Sequence, residues 1–429
     1  MTLKGKTYEV EVNQGEAMIL DEYEAYAPAP AAAPELAVHA APAAAEEISL
    51  DECAGRVLAF ELKAMWDVPQ FDRSPYDGYA FRAKDSEAAG RDNPVTLKVL
   101  EEVPAGAVPT KTVIPGTAVK VLTGAPIPEG ADAVVMYEKT SFDSETVTLY
   151  EAAKPGENII YACEDVKKGS ILAHKGCVID PGTAGTLASQ GIWRPLVYQK
   201  PLIGIISTGS ELVDAGASQL SAGKIINTNR YSIGAALIND GCRTVYIGTA
   251  ADDAQQIAQL ISKGLKEKGC DMLILTGGVS AGDYDLTPEA MEIAGCSILA
   301  RKVALKPGMA CCYGEAGGKL VCALSGNPSS SLTNYYAVVR PAVRKLTGLP
   351  DYMPEMITVT LGEDFNKKSK VTRILKGRLH TGADGAVLHI PSEQGNVMIS
   401  SSIGCDFMAE VPAGSQALKA GTLLQGFMV

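Results

Sequence analysis

Gly277 and Gly278, with Ser280, Asp283 and Asp285 close behind, share one loop directly after the apolar run 272–275. Adjacent glycines let backbone N–H groups approach an anion, and carboxylates beside them could hold a metal that the anion shares. An ordinary strand followed by a turn reads equally well from this segment alone. Three further loops carry similar chemistry. Thr208, Gly209, Ser210 and Glu211 follow the apolar run 202–206, Asp252 and Asp253 precede a helical pattern, and Ser325, Gly326, Asn327 and Pro328 follow the run 319–324. Hydroxyls, glycine backbone and carboxylates at four strand ends suit a phosphorylated ligand with Mg²⁺, which takes oxygen ligands and usually one or two carboxylates plus phosphate. Asp252 and Asp253 could instead only cap the helix that begins at 254. Lys306, in Lys306-Pro307-Gly308, could hold an oxyanion or be a solvated lysine at a strand end.

A second set of polar turns lies nearer the N-terminus. The segment 69–79 packs Asp72, Arg73 and Asp77 among three aromatics, the segment 122–130 is a tight loop carrying Thr123, and Cys163-Glu164-Asp165 is a third. Each alone reads as a turn, because Gly, Pro and Asp dominate turns. Nothing in the sequence says whether these turns face the strand-end loops of the same chain or those of a second copy.

The elements that must position these residues follow from hydrophobic patterning. Strands over 202–206, 244–247, 272–275 and 319–324 alternate with helices over 229–239, 254–268, 288–294 and 331–346, which predicts a doubly wound parallel sheet. In such a sheet ligands bind beyond the carboxyl ends of the strands, where the four loops fall. Residues 68–138 read as a small β-rich domain, a helix is expected near 182–191, and alternation at 357–361 with a closing strand near 421–426 predicts a C-terminal β module. The Ala/Pro-rich stretch within 1–47 reads as a poorly packed arm, since proline disfavours continuous helix. A short amphipathic helix is expected from 47 to about 55.

Composition narrows the function class. The net charge of −12 over 429 residues argues against nucleic-acid binding. No apolar run is long enough to cross a membrane, and the N-terminal residues lack the apolar core of a secretory leader, so a cytoplasmic chain is expected. The 10 cysteines include no CxxC pair and there are only 4 histidines, which argues against zinc and against disulfides. No GxGxxG follows a strand, which disfavours a dinucleotide-dependent oxidoreductase.

Taken in order, FDRSPYDGYAF at 71–81, TGAPIPEGADAVV at 123–135, GENIIYACEDVKKG at 156–169, STGSEL at 207–212, TGGVSAGDYD at 276–285, KPG at 306–308 and SGNP at 325–328 resemble the molybdopterin molybdenumtransferase family, MoeA in bacteria and the gephyrin E-domain in animals. The resemblance covers roughly residues 48–429. It implies an enzyme that takes adenylylated molybdopterin and molybdate and, with Mg²⁺, yields molybdenum cofactor and AMP. It also implies a multidomain α/β plus β chain. A discontinuous linker and dimerisation domain would span 1–70 and 140–198, with 1–47 as the arm. A small β-rich domain would span 71–139, a doubly wound α/β molybdopterin-binding domain 199–348, and a C-terminal β-barrel-like domain 349–429. The subunits would form an elongated homodimer with the active cleft between them, handing product to molybdoenzymes or their chaperones.

Position by position, the resemblance places functional acids at Asp77, Asp165, Glu211, Asp252 and Asp285, with Asp252 and Asp285 associated with Mg²⁺. Thr123, Thr208, Gly209, Ser210, Gly277, Gly278, Ser280, Ser325, Gly326, Asn327 and Pro328 would bind substrate, and Lys306 and Pro307 belong to the molybdate pocket. The chain departs from the family pattern at Ser74-Pro75-Tyr76, Cys163 and Ser325, and most of all where Met309-Ala310 follow Lys306-Pro307-Gly308 in place of a lysine and a proline. These changes leave open a tungstate-preferring insertase, or a pterin-binding or scaffold paralogue with weak or no transferase activity.

Overall fold

Leu202–Thr208 and Met272–Thr276 are almost wholly buried and pair in parallel, as continuous apolar runs do when helices cover both faces of a sheet. The computed structural model describes the chain except residues 1, 4–5, 14–15, 25–26, 218, 280–285 and 383–384. Arg243–Ala250 and Lys319–Leu324 extend this sheet in parallel on either side, and an antiparallel pair, Cys311–Ala316 and Ser297–Arg301, finishes one edge. The sheet is therefore doubly wound but mixed, not purely parallel. Alternate residues feed two cores. Ile203, Ile205, Met272 and Ile274 face one, while Ile206, Leu273 and Leu275 face the other. Helix Thr228–Asn239 starts at an Asn227 cap, and Pro328–Asn334 continues through a π turn, Tyr335–Val339, into Arg340–Leu346.

Ahead of this domain, Gly78–Phe81, Val95–Val103, Thr117–Val121, Ala133–Met136, Thr140–Phe142 and Thr146–Leu149 form one six-stranded sheet. The sheet runs past the boundary expected at 139, because the 140–149 hairpin pairs with Val95–Val103 and buries Val147 and Leu149. Two small strand pairs, Leu62–Lys63 with Ile171–Ala173 and Ala45–Glu47 with Leu196–Tyr198, build the linker around helix Pro181–Ser189. The helix expected from 47 to 55 is only a single turn, Leu50–Glu52, because Glu46 and Glu47 are committed to an edge strand and Gly55 turns the chain at φ +72°.

At the C-terminus, Ile357–Leu361, Thr372–Gly382, Gly385–His389, Phe407–Val411 and Leu423–Met428 close into a five-stranded barrel around Val359, Leu361, Leu375 and Phe407. Val303–Lys306 pairs with Thr372–Gly382 from outside the barrel and so ties it to the α/β domain.

From Ala27 onward the arm is not loosely packed. Ala27–Pro28 pairs with Val303–Lys306, and Ala29–Val38 is a helix despite Pro34 inside it. Ala32, Ala33, Leu36 and Ala37 are buried in the α/β core against the helices that end the domain. Lys345 Nζ donates to the Ala37 carbonyl at 2.9 Å, and His39 Nδ1 meets Glu315 at 2.5 Å. Tertiary burial of small alanine faces outweighs the local cost of the proline.

Candidate active site

The strand-end loops converge on one cavity of about 850 Å³ at the carboxyl edge of the α/β sheet. Thr208, Gly209, Glu211, Asp252, Gly277, Gly278, Lys306, Pro307, Ser325, Gly326, Asn327 and Pro328 all line it. Ser210 joins them through Asp252, whose carboxylate accepts from Ser210 Oγ at 3.3 Å and Ser210 N at 3.4 Å. Ser280, Asp283 and Asp285 lie outside the described residues.

The two expectations for the Asp252-Asp253 pair divide between its members. Asp253 caps helix Ala254–Ser262 through Gln256 N at 2.8 Å, whereas Asp252 is exposed at the cavity and, among the described residues, is tied only to Ser210. Gly277 and Gly278 have φ of +107° and +63°. A Cβ on Gly277 would lie 2.5 Å from Thr208 Oγ1, and one on Gly278 would lie 2.5 Å from Thr287 Oγ1. The paired glycines thus let two neighbouring strand ends close on each other beside the cavity. The Lys306–Gly308 turn is fixed from behind. Asn334 Nδ2 donates to the Gly308 carbonyl at 2.8 Å, and the Tyr313 hydroxyl donates to Asn334 Oδ1 at 2.7 Å.

Several residues of the site carry no mark in the sequence. Asn229 Nδ2 donates to the Gly326 carbonyl at 2.8 Å, and its buried Oδ1 has no partner among the described residues. The buried Thr276 Oγ1 likewise has no partner among the described residues, and both residues line the cavity. Buried polar atoms are ordinarily hydrogen-bonded, so these two mark positions for a polar ligand or ordered water. Asn396, Val397 and Ile399 close the cavity from the C-terminal barrel, and Ser329 N donates to the Asn396 carbonyl at 3.1 Å.

Behind Ser329 lies Lys376, only 1% exposed. Its amine donates to Ser329 Oγ at 2.7 Å, Ser402 Oγ at 2.8 Å and Ser401 Oγ at 3.2 Å, and among the described residues no carboxylate pairs with it. Burial pushes its ammonium below the ordinary lysine value. A buried cation satisfied by hydroxyls alone leaves positive potential at the wall that Ser330 and Pro328 line.

The N-terminal turns also assemble, but elsewhere. Arg73 and Ile160 exchange backbone hydrogen bonds, Ser74 N donates to Ala125, and Asp72 accepts from Ala162 N at 2.7 Å. Asp77 accepts from Thr123 N at 2.7 Å and Thr123 Oγ1 at 2.8 Å, which holds its carboxyl below the usual range. Asp165 is exposed on the same cluster, next to Cys163 at φ +58°. None of Asp77, Thr123 and Asp165 lines the 850 Å³ cavity, so one chain brings the predicted site residues together as two separate groups.

Fold and cavity define a multidomain α/β protein with a polar-lined cavity beyond its strand ends, where such sheets bind ligands. Comparison gives the class its family. Residues 24–191 match the MoeA N-terminal region (domain I and II), and residues 204–345 match the probable molybdopterin binding domain. The molybdopterin molybdenumtransferase of Staphylococcus epidermidis is 37% identical over 380 residues, covering 88% of this chain and 89% of that protein. That of Staphylococcus aureus is 37% identical over 377 residues, covering 87% and 88%. The crystal structure of the molybdopterin biosynthesis MoeA protein from Pyrococcus horikoshii OT3 superposes with a TM-score of 0.80 at 30% identity, over 94% of this chain and all of that one. The chain belongs to the molybdopterin molybdenumtransferase (MoeA) family.

Proposed function

We propose that this enzyme inserts molybdenum into adenylylated molybdopterin in molybdenum cofactor biosynthesis, consuming molybdate and releasing AMP. The observation that carries the reading is the strand-end cavity itself, where unpartnered Asn229 and Thr276 atoms, glycine backbone and hydroxyls stand between the Asp252 carboxylate and the cation-backed Ser325–Ser330 wall. A pterin offers amide-like donors and acceptors to the first groups, and an oxyanion suits the second. Lys306 and the wall in front of Lys376 would hold molybdate.

The oxygen-only donors around Asp252, namely its carboxylate, the Ser210 and Thr208 hydroxyls and Glu211, fit a hard divalent cation such as Mg²⁺. When bound, that cation would neutralise charge on the phosphoanhydride that is cleaved. The chain's own residues orient the substrate in line with a molybdate oxygen, and no side-chain nucleophile is required. In the working homodimer, Asp77, Thr123 and Asp165 of one subunit would complete the cleft of the other. The test is incubation with adenylylated molybdopterin, Mg²⁺ and molybdate. AMP release with formation of molybdenum cofactor supports the reading, whereas tight pterin binding without AMP indicates a scaffold. Faster AMP release with tungstate than with molybdate would reassign the oxyanion, a choice that Met309 and Ala310 at the cavity leave to measurement.

A further inference from the structure

A second cavity, of about 300 Å³, lies at the amino edge of the α/β sheet, away from the strand-end pocket. Lys200 precedes strand Leu202–Thr208 and Asp240-Gly241 precede strand Arg243–Ala250, so the cavity sits under the starts of strands whose far ends carry the active site. Its other walls come from the linker, at Arg56 and Tyr198, and from helix Arg340–Leu346.

The charges in this cavity do not balance. Four cationic side chains, Arg56, Lys200, Arg340 and Arg344, line it with one carboxylate, Asp240. Both oxygens of Asp240 are engaged. Tyr335 donates to one at 2.6 Å and Arg340 Nε to the other at 2.8 Å. Arg56 is matched by Glu46 at 2.5 Å. Arg344 has no such partner. It donates to the Asp351 carbonyl at 3.1 Å, and among the described residues no carboxylate forms an ion pair with it or with Lys200. Burial, and after it the charge of Arg340, push the Arg344 guanidinium below its ordinary value, against the weaker opposing pull of the Asp240 and Asp351 carboxylates. In a chain of net charge −12, a half-buried pocket with two cations, Lys200 and Arg344, beyond the two that are ion-paired is a local feature that packing alone does not require.

Arg340 and Arg344 stand one helical turn apart and so share a helix face. The Arg344 fork, beside an Arg340 that is held by Asp240 and the Met428 carbonyl, and with an ammonium at the rim, matches a tetrahedral oxyanion better than a halide or a single carboxylate. We propose that this junction cavity is an anion site for a phosphate group, and that its occupancy clamps the linker module to the α/β domain. An anion held by Arg56 and Lys200 on one side and by Arg344 on the other would bridge the two parts of the chain.

The test uses the full-length protein titrated with inorganic phosphate at constant ionic strength, read by calorimetric binding and by the unfolding temperature. The expected result is saturable binding with a rise in unfolding temperature. Arg344→Gln should weaken that binding by about tenfold or more. Lys200→Glu, an exposed rim change that removes no buried group, should do the same and serves as the second variant if Arg344→Gln impairs folding. Lys306→Ala should remove only phosphate held in the strand-end pocket and leave the binding that depends on Arg344 and Lys200 in place. No saturable binding to the parent protein, undiminished binding in Lys200→Glu and Arg344→Gln, or loss of binding in Lys306→Ala alone would each overturn the proposal. Competition by AMP would assign the site to a phosphate monoester, and saturable phosphate binding without such competition to the free ion.

Discussion

At the residue scale, Asp252 and Lys376 make opposite predictions. Asp252 is exposed and, among the described residues, holds only Ser210, so Asp252→Asn should reduce AMP release by roughly a hundredfold, the scale seen when a preorganised charge-stabilising group is lost. It should leave the unfolding temperature nearly unchanged, as surface substitutions do. An equally active variant would remove the acid from the cation site. Lys376 is buried, and its depressed ammonium makes a pH-dependent statement. The folded state binds its proton less tightly than the unfolded state, whose lysine titrates near 10.5. The unfolded chain therefore carries more protons between the two values, and this lysine's contribution to stability rises with pH through that window. The unfolding temperature of the parent minus that of Lys376→Met should climb as pH rises toward the unfolded lysine value of 10.5. A flat difference would mean that the amine is not desolvated. Asp252 was legible in the sequence because a carboxylate before a helix pattern has few readings, and its neighbour Asp253 proved to be the cap. Lys376 was not legible, because a lysine in an alternating strand ordinarily faces solvent, and only closure of the barrel onto Ser329 and Ser401 buries it.

At the element scale, the outcome most at odds with local propensity is the arm. Repeated Ala-Pro predicts an extended, unpacked segment, yet Ala29–Val38 is helical and feeds Leu36 and Ala37 into the α/β core. Alanine's high helix propensity and lack of bulk let this helix lie close to Tyr335–Leu346, a tertiary fact that composition does not encode. Leu36 is 3% exposed, so Leu36→Ala should cost about 2–5 kcal/mol of stability by chemical denaturation. A cost near zero would return the arm to the unpacked reading. The strand-loop-helix elements of residues 202–346 were legible because their apolar runs are buried on both faces. The antiparallel edge Ser297–Arg301 was not, since a half-exposed edge strand has little pattern to read.

At the scale of the whole molecule, the position of Asp77 and Asp165 carries the argument. They sit on a turn cluster built from three distant segments, and that cluster contributes no residue to the cavity containing Asp252. If all these acids serve one reaction, a second chain must bring the groups together, and a closed two-fold pair provides two such composite clefts. The consequence is quantitative. Asp77→Ala and Asp252→Ala should each abolish turnover alone. When equal amounts are mixed and allowed to exchange subunits, half of the dimers become mixed, and each mixed dimer holds one cleft with both groups intact and one with neither. Activity should therefore return to about a quarter of the parent level. Parallel size measurement confirms that exchange has occurred. Recovery of that size requires the cleft to lie between subunits. Exchange without any recovery would mean that each chain works with its own two groups, and that the turn cluster must swing toward the strand ends of its own α/β domain.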